Sequence, residues 1–182
     1  MAQRKSTVDE AYPGDIVGLP DTGGVFKIGD TLTEGEQLHF RGLPSFSPEL
    51  FKYIENDDPM KAKQFQKGLE QLMNEGVAQL FINQFNNRRI VGTVGQLQFE
   101  VIQYRLEHEY NAKCRWEPVH LHKACWIEAE NAEALENFKK RKYQYMAKDI
   151  EGRDVFLADS GYVLSMAQQD FEDIKFHFTS EF

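Results

Sequence analysis

Cys114, His120, His122 and Cys125 lie within twelve positions and form the densest grouping of metal-ligating residue types in the sequence. His120 and His122 would project on one face of an extended segment. There is no C-x-x-C pair, however, and the spacing matches none of the common zinc patterns, so these residues are expected to be polar or half-buried strand positions. The sharpest charge feature is Lys139-Lys140-Arg141-Lys142. On a helix, four consecutive residues fan through about 300° and cannot form one stripe. They also follow Glu130, Glu133 and Glu136, an acid-first, base-last order that complements a helix dipole. The run therefore admits two readings, dipole complementation or a phosphate contact. Arg88 and Arg89, beside the Asn86-Asn87 turn, are a second exposed basic pair at a hairpin tip. Arg88, Arg89, Lys139, Lys140, Arg141 and Lys142 are thus the candidate RNA contacts.

Other chemistries find less. No GxxxxGK[ST] loop occurs, and Gly92-Thr93-Val94-Gly95 lacks the lysine and hydroxyl that reach phosphate and magnesium. Asp21-Thr22-Gly23-Gly24 fits a bare D-x-x-G pattern, but hairpin turn chemistry explains it, with glycines supplying positive φ. No G-x-S-x-G elbow is present, and Ser160-Gly161 suits a helix start. Asp57 with Asp58 and Glu128 with Glu130 fall at caps or on solvated strand faces. No catalytic, cofactor-binding or metal-ligating residue is assigned.

Composition narrows the partners. The chain has 182 residues, is 41% hydrophobic and 27% charged, and is ordinary for a globular protein. A net charge of -8 disfavours a generic electrostatic nucleic-acid binder, so any RNA contact must be local. Two cysteines suit a reducing compartment. No window approaches the roughly 18 apolar residues of a membrane span, and Met1 to Glu10 has no signal-like apolar region. The expected localisation is cytoplasmic, with no membrane partner.

The elements that must position these residues begin with a hairpin, Asp15 to Leu19 and Val25 to Ile28, around Pro20-Asp21-Thr22-Gly23-Gly24. Prolines 44 and 48 with Gly42 suggest a domain boundary near Gly42. Asp58-Pro59 opens a helix that Gly76 closes, with Ala62, Phe65, Leu69, Leu72 and Met73 on one face. Val77 to Asn83 and Arg88 to Thr93 are expected strands about a turn. Gly95 to Asn111 is a helix with two apolar faces, Leu97, Val101 and Tyr104 on one and Phe99, Ile102 and Leu106 on the other. One sheet can cover only one of them, so the C-terminal part of the chain or a partner domain must lie on the back. Lys113 to Val119 follows as a strand. The alternation then repeats: strand Ala124 to Ala129, helix Asn131 to Met146, strand Asp154 to Ala158, helix Tyr162 to Phe171 and strand Ile174 to Phe178. The short loop before Arg88 joins antiparallel strands, so the fold class is α+β with an antiparallel or mixed sheet.

AYPGDIVGL followed by FKIGDTL resembles the closing strands of the β-barrel second domain of translational GTPases. VGTVGQLQFEVIQYRLEHEYN resembles the strand-to-helix segment that follows the barrel in elongation-factor-G-like proteins. With FRGLPSFSPELF and DPMKAKQFQKGLEQLMNEGVAQLF, the chain from about Glu10 to Phe178 resembles the bacterial class-II peptide chain release factor family. The resemblance implies a split β-α-β (ferredoxin-like) domain over residues 43–182, preceded by a β-hairpin remnant of the barrel over residues 1–42. It also implies a ribosome-interacting portion of a termination factor that, at full length, uses GTP and magnesium to promote release of class-I release factors. The expected partners are the ribosome, indirectly a class-I release factor, and the family's GTPase and barrel domains. Since no phosphate loop is present, this chain alone is expected to lack a GTP site and to be inactive as a GTPase. An alternative is an autonomous protein-interaction module that docks through helix 95–111 or an open strand edge.

Overall fold

The computed structural model describes residues 7–20, 22, 23, 26, 30–38 and 47–180. From residue 50 onward the chain runs β1 (Leu50–Asn56), α1 (Ala62–Asn74), β2 (Gln79–Asn83), β3 (Arg89–Thr93), α2 (Leu97–Tyr110) and β4 (Cys114–Pro118). It continues with β5 (Lys123–Ala129), α3 (Ala132–Arg141), β6 (Met146–Asp149), β7 (Asp154–Ala158), α4 (Gly161–Asp170) and β8 (Ile174–His177). The strands form one eight-stranded sheet in the order β4-β1-β3-β2-β6-β7-β5-β8. Every pairing in it is antiparallel.

This order resolves into a tandem repeat. Residues 50–118 make a β-α-β-β-α-β unit with strand order 4-1-3-2, and residues 123–177 repeat that topology. The second strands of the two units pair with each other, β2 with β6, so that Phe81, Ile82 and Asn83 oppose Asp149, Lys148 and Ala147. The two half-sheets are mirrored across this seam.

Two elements correct the sequence reading. Strand β1 is additional to the sequence reading, in which Gly42, Pro44 and Pro48 mark only a boundary and the run up to Asn56 carries no element. The expected helix Asn131 to Met146 is too long: α3 stops at Arg141, a 3-10 turn follows over Tyr143–Tyr145, and Met146 already begins β6. With β1 and β6 added, each half gains the strand that completes its unit. The opening hairpin is also corrected in part. Residues 15–19 are exposed and irregular, with no strand partner among the described residues. Val25, Lys27 and Ile28 lie outside the described residues, as do residues 39–46 around the expected boundary.

Local signals set the helix ends. Asp58 Oδ1 accepts from the Met60 amide ahead of α1, with Pro59 at the first position of the turn leading in. Gly76, at φ +72°, ends that helix, and Asn111, at φ +51°, takes the left-handed position after α2. Asn131 and Ser160 cap α3 and α4 through bonds from the Glu133 and Val163 amides.

Alternation along the strands builds three apolar cores. Ile54, Leu80, Val91 and Cys114 face α1 and α2, against Phe65, Leu69, Leu72, Phe99, Ile102 and Leu106. Cys125, Ile127, Phe156 and Ala158 face α3 and α4, against Phe138, Leu164, Ala167 and Phe171. Among the described residues the opposite side carries no helix, yet Phe51, Phe81, Ile90, Trp126, Val155 and Leu157 are buried there as well. The β4–β5 connection explains why. Those strands are six positions apart, about 29 Å across a flat sheet at ~4.8 Å per strand. The five steps from Pro118 to Lys123 span at most about 18 Å at ~3.6 Å each. The sheet must therefore fold over, with its helix-free face inward and Val119 and Leu121 of the connection against that inner core.

The cysteines are buried in different cores, one under each helix pair. Burial pushes each thiol up to about 12. Neither carries appreciable thiolate at neutral pH. Alkylation by iodoacetamide at neutral pH is expected to modify neither Cys114 nor Cys125 in the native protein and both in denaturant, read by intact mass. Rapid native labelling would contradict this packing.

Candidate functional site

The seam brings together two regions that are remote in sequence. Gln84, just past β2, donates its amide to the Met146 carbonyl at 2.8 Å, extending the β2–β6 pairing toward the β2–β3 turn. The Tyr143 hydroxyl, in the turn after α3, donates to the Gln84 carbonyl at 2.9 Å. The Phe85 and Tyr143 rings then meet edge to face, with centroids 6.0 Å apart. The hairpin tip that carries Arg88 and Arg89 thus sits beside the end of the basic run on α3.

Not every expected cation faces outward there. Arg88 turns to the helix-free side, where it stacks 3.7 Å over the Tyr53 ring and pairs with Glu55 and Glu117. The Arg88 hydrogen bond holds the Glu117 carboxyl below the usual carboxylate range. Arg89 points to the helix side and donates to the neutral Gln66 side chain at 2.8 Å. Lys139 bridges Glu136 and Asp154, and the Glu136 hydrogen bond raises its pKa. Lys148 takes the other oxygen of Asp154 at 2.7 Å. Lys140, Arg141 and Lys142 have no ion pair among the described residues. Arg141 and Lys142 instead lie 5.0 and 5.8 Å over the Phe171 ring, which places them on one side of α3 rather than around it. The two readings of the basic run therefore divide: Lys139 is structural, and the three residues after it keep their charge for solvent or a ligand.

A second surface lies on α2. Phe99, Ile102 and Leu106 are in the core, while Leu97 is 67% exposed, Val101 40% and Tyr104 61%. Tyr104 stacks on His108 at 4.0 Å, extending this stripe along the helix. The expectation that the helix has two apolar faces is met. Of the two covers considered for its back, the C-terminal part of this chain does not lie there. His120 and His122 are exposed in the β4–β5 connection, whereas Cys114 and Cys125 are buried, so the four do not converge.

Two matches to protein families fit this architecture. Residues 40–168 match the family described as Class II release factor RF3, C-terminal domain, and residues 1–35 match Elongation factor G domain 2. Together these define the chain as a portion of a translation factor. More closely, it belongs to the class II release factor RF3 C-terminal domain family. Among solved structures, the crystal structure of ttk003000868 from Thermus thermophilus is similar at 15% identity over 54% of this chain, with a TM-score of 0.41. The match covers only 17% of that protein's chain, and a likeness at this score supports no argument about fold or function.

Proposed function

We propose that this chain is the ribosome-contacting portion of a termination factor which, at full length, uses GTP to promote release of class-I release factors. In this reading residues 1–42 belong to the barrel domain and residues 43–182 form the C-terminal unit. The 182 residues contain no phosphate loop, so GTP and magnesium are handled elsewhere in the factor and this chain does not hydrolyse GTP alone. The factor acts in the cytoplasm. The carrying observation is the cationic trio Lys140, Arg141 and Lys142 at the end of α3, without ion pairs among the described residues on a chain of net charge -8. Lys140 and Arg141 are exposed and Lys142 is half-buried, and cations without an ion pair contact phosphate by displacing counterions.

Co-sedimentation with ribosomes across a salt series tests this reading. The triple variant K140E/R141E/K142E is expected to bind at least ~10-fold more weakly and to lower the salt slope by about two to three. Binding that is unchanged in strength and salt dependence would overturn it. A second reading rests on the exposed Leu97, Val101 and Tyr104 stripe, through which α2 docks on another protein or on a neighbouring domain of the factor. That reading predicts loss on Leu97→Asp and no effect of the charge reversal.

A further inference from the structure

The edge-to-face pair Phe85 and Tyr143 is built, exposed and without a role in any core. Asn83, buried at the end of β2, accepts from the Phe85 and Asn86 amides at 2.9 and 3.2 Å. Asn86 in turn accepts from the Arg88 amide at 3.0 Å, and Asn87 takes a positive φ of 55°. This self-bonded turn holds Phe85 outward, 64% exposed. Tyr143, 49% exposed, is fixed by its hydroxyl bond to Gln84. The two rings meet at 77° and both remain largely exposed to solvent. In the chain, Lys140, Arg141 and Lys142 lead into Tyr143, with Arg141 and Lys142 over the Phe171 ring, while Asn86 and Asn87 follow Phe85.

From this arrangement we infer that Phe85 and Tyr143 form a stacking platform for an unpaired RNA base, whose flanking phosphates run along Lys140, Arg141 and Lys142. The inference rests on the RNA-facing reading of this surface and adds to it a base-contacting element and a preference for single-stranded or bulged RNA. Aromatic faces beside uncompensated cations suit bases and phosphates together. A protein partner would instead find an apolar target on α2, where the exposed Leu97, Val101 and Tyr104 stripe is flanked by the carboxylates Glu100 and Glu107 rather than by cations. The platform also takes little part in the fold, so removing a ring leaves the cores intact.

Fluorescence anisotropy with a short, unstructured, labelled oligoribonucleotide tests the inference on the whole chain, beside the same strand carrying abasic sites and the same sequence as a duplex. Phe85→Ala is expected to weaken single-strand binding by about 5- to 100-fold with an unchanged salt slope, because stacking releases no counterions. Tyr143→Ala should weaken it similarly and Tyr143→Phe less, since the ring stays while its bond to the Gln84 carbonyl is lost. The abasic strand should bind wild type and Phe85→Ala alike, and the duplex should bind wild type no better than the abasic strand does. Unchanged thermal midpoints show that the variants are folded. Equal binding by wild type and Phe85→Ala, tight duplex binding, or no oligonucleotide binding at all would each overturn the platform. If ribosome binding still falls in K140E/R141E/K142E, the platform fails while the phosphate-contacting reading stands.

Discussion

Trp126→Ala is expected to destabilise the protein by about 3–5 kcal/mol, the largest effect of any single substitution considered. Its ring is buried on the helix-free face and meets Phe81 of the other unit at 5.9 Å. Its Nε1 donates to Asp149 at 2.9 Å across the sheet. Asp149 also accepts from the Glu151 and Arg153 amides and from the Arg153 guanidinium, so it anchors the β6–β7 turn. Truncation thus opens a cavity between the units and removes a buried hydrogen bond from this carboxylate. Trp126→Phe keeps most of the volume and is expected to cost about 1–2 kcal/mol for the lost bond. Urea unfolding followed by circular dichroism measures both. Wild type should unfold in one transition, because the two repeats share a sheet and an inner core. A Trp126→Ala cost below about 1 kcal/mol, or separate unfolding of the units in wild type, would contradict a sheet folded about its seam.

The second large effect is Gly92→Val in β3. A Cβ there would lie 2.7 and 2.9 Å from the Cβ and Cγ of Pro48 and 3.0 Å from Phe81. Pro48 is a rigid ring held in the chain that leads into β1, so the strand itself must shift. Strand propensity alone would favour valine, but overpacking here is expected to cost about 1–3 kcal/mol. Gly68→Ala in α1 makes an instructive comparison. Its Cβ would meet the Tyr110 ring at 2.6 Å and the Leu106 side chain at 2.9 Å, where α1 and α2 cross. Tyr110 stands half-buried at the end of its helix, whereas Leu106 is fully buried. The gain in helix propensity, about 1 kcal/mol over glycine, offsets part of the clash. Urea midpoints should therefore fall further for Gly92→Val than for Gly68→Ala, and the reverse order would mean that the residue-48 segment is not packed on β3.

Much of this architecture is legible from the chain because local chemistry specifies it. Asp58-Pro59 and Gly76 bound α1, and the double periodicity of α2 separates the buried Phe99, Ile102 and Leu106 from the exposed Leu97, Val101 and Tyr104. What escaped is what non-local pairing decides. The sequence Met146-Ala147-Lys148-Asp149 has no strand signature of its own and follows a helix without a strong stop. It becomes β6 because β2 and β7 flank it. Strand β1 is similarly fixed by β3 and β4 on its two sides. Because β6 was missed, so was the seam, and with it the meeting of Tyr143 and Gln84 across 59 residues of sequence. The basic run was visible, but its division was not: the Asp154 carboxylate that occupies Lys139 comes from β7, and the Phe171 ring that gathers Arg141 and Lys142 comes from the end of α4.

In the proposed function the β2–β6 seam, with the end of α3, is the side turned to the ribosome. Lysine acetylation of the free and the ribosome-bound chain, read residue by residue by mass spectrometry, decides whether that is so. Lys140 and Lys142 should be strongly protected on binding, while Lys63 and Lys67 on the outer side of α1 and Lys113 before β4 keep their reactivity. Protection of Lys63, Lys67 or Lys113, with Lys140 and Lys142 as reactive as in the free protein, would contradict it.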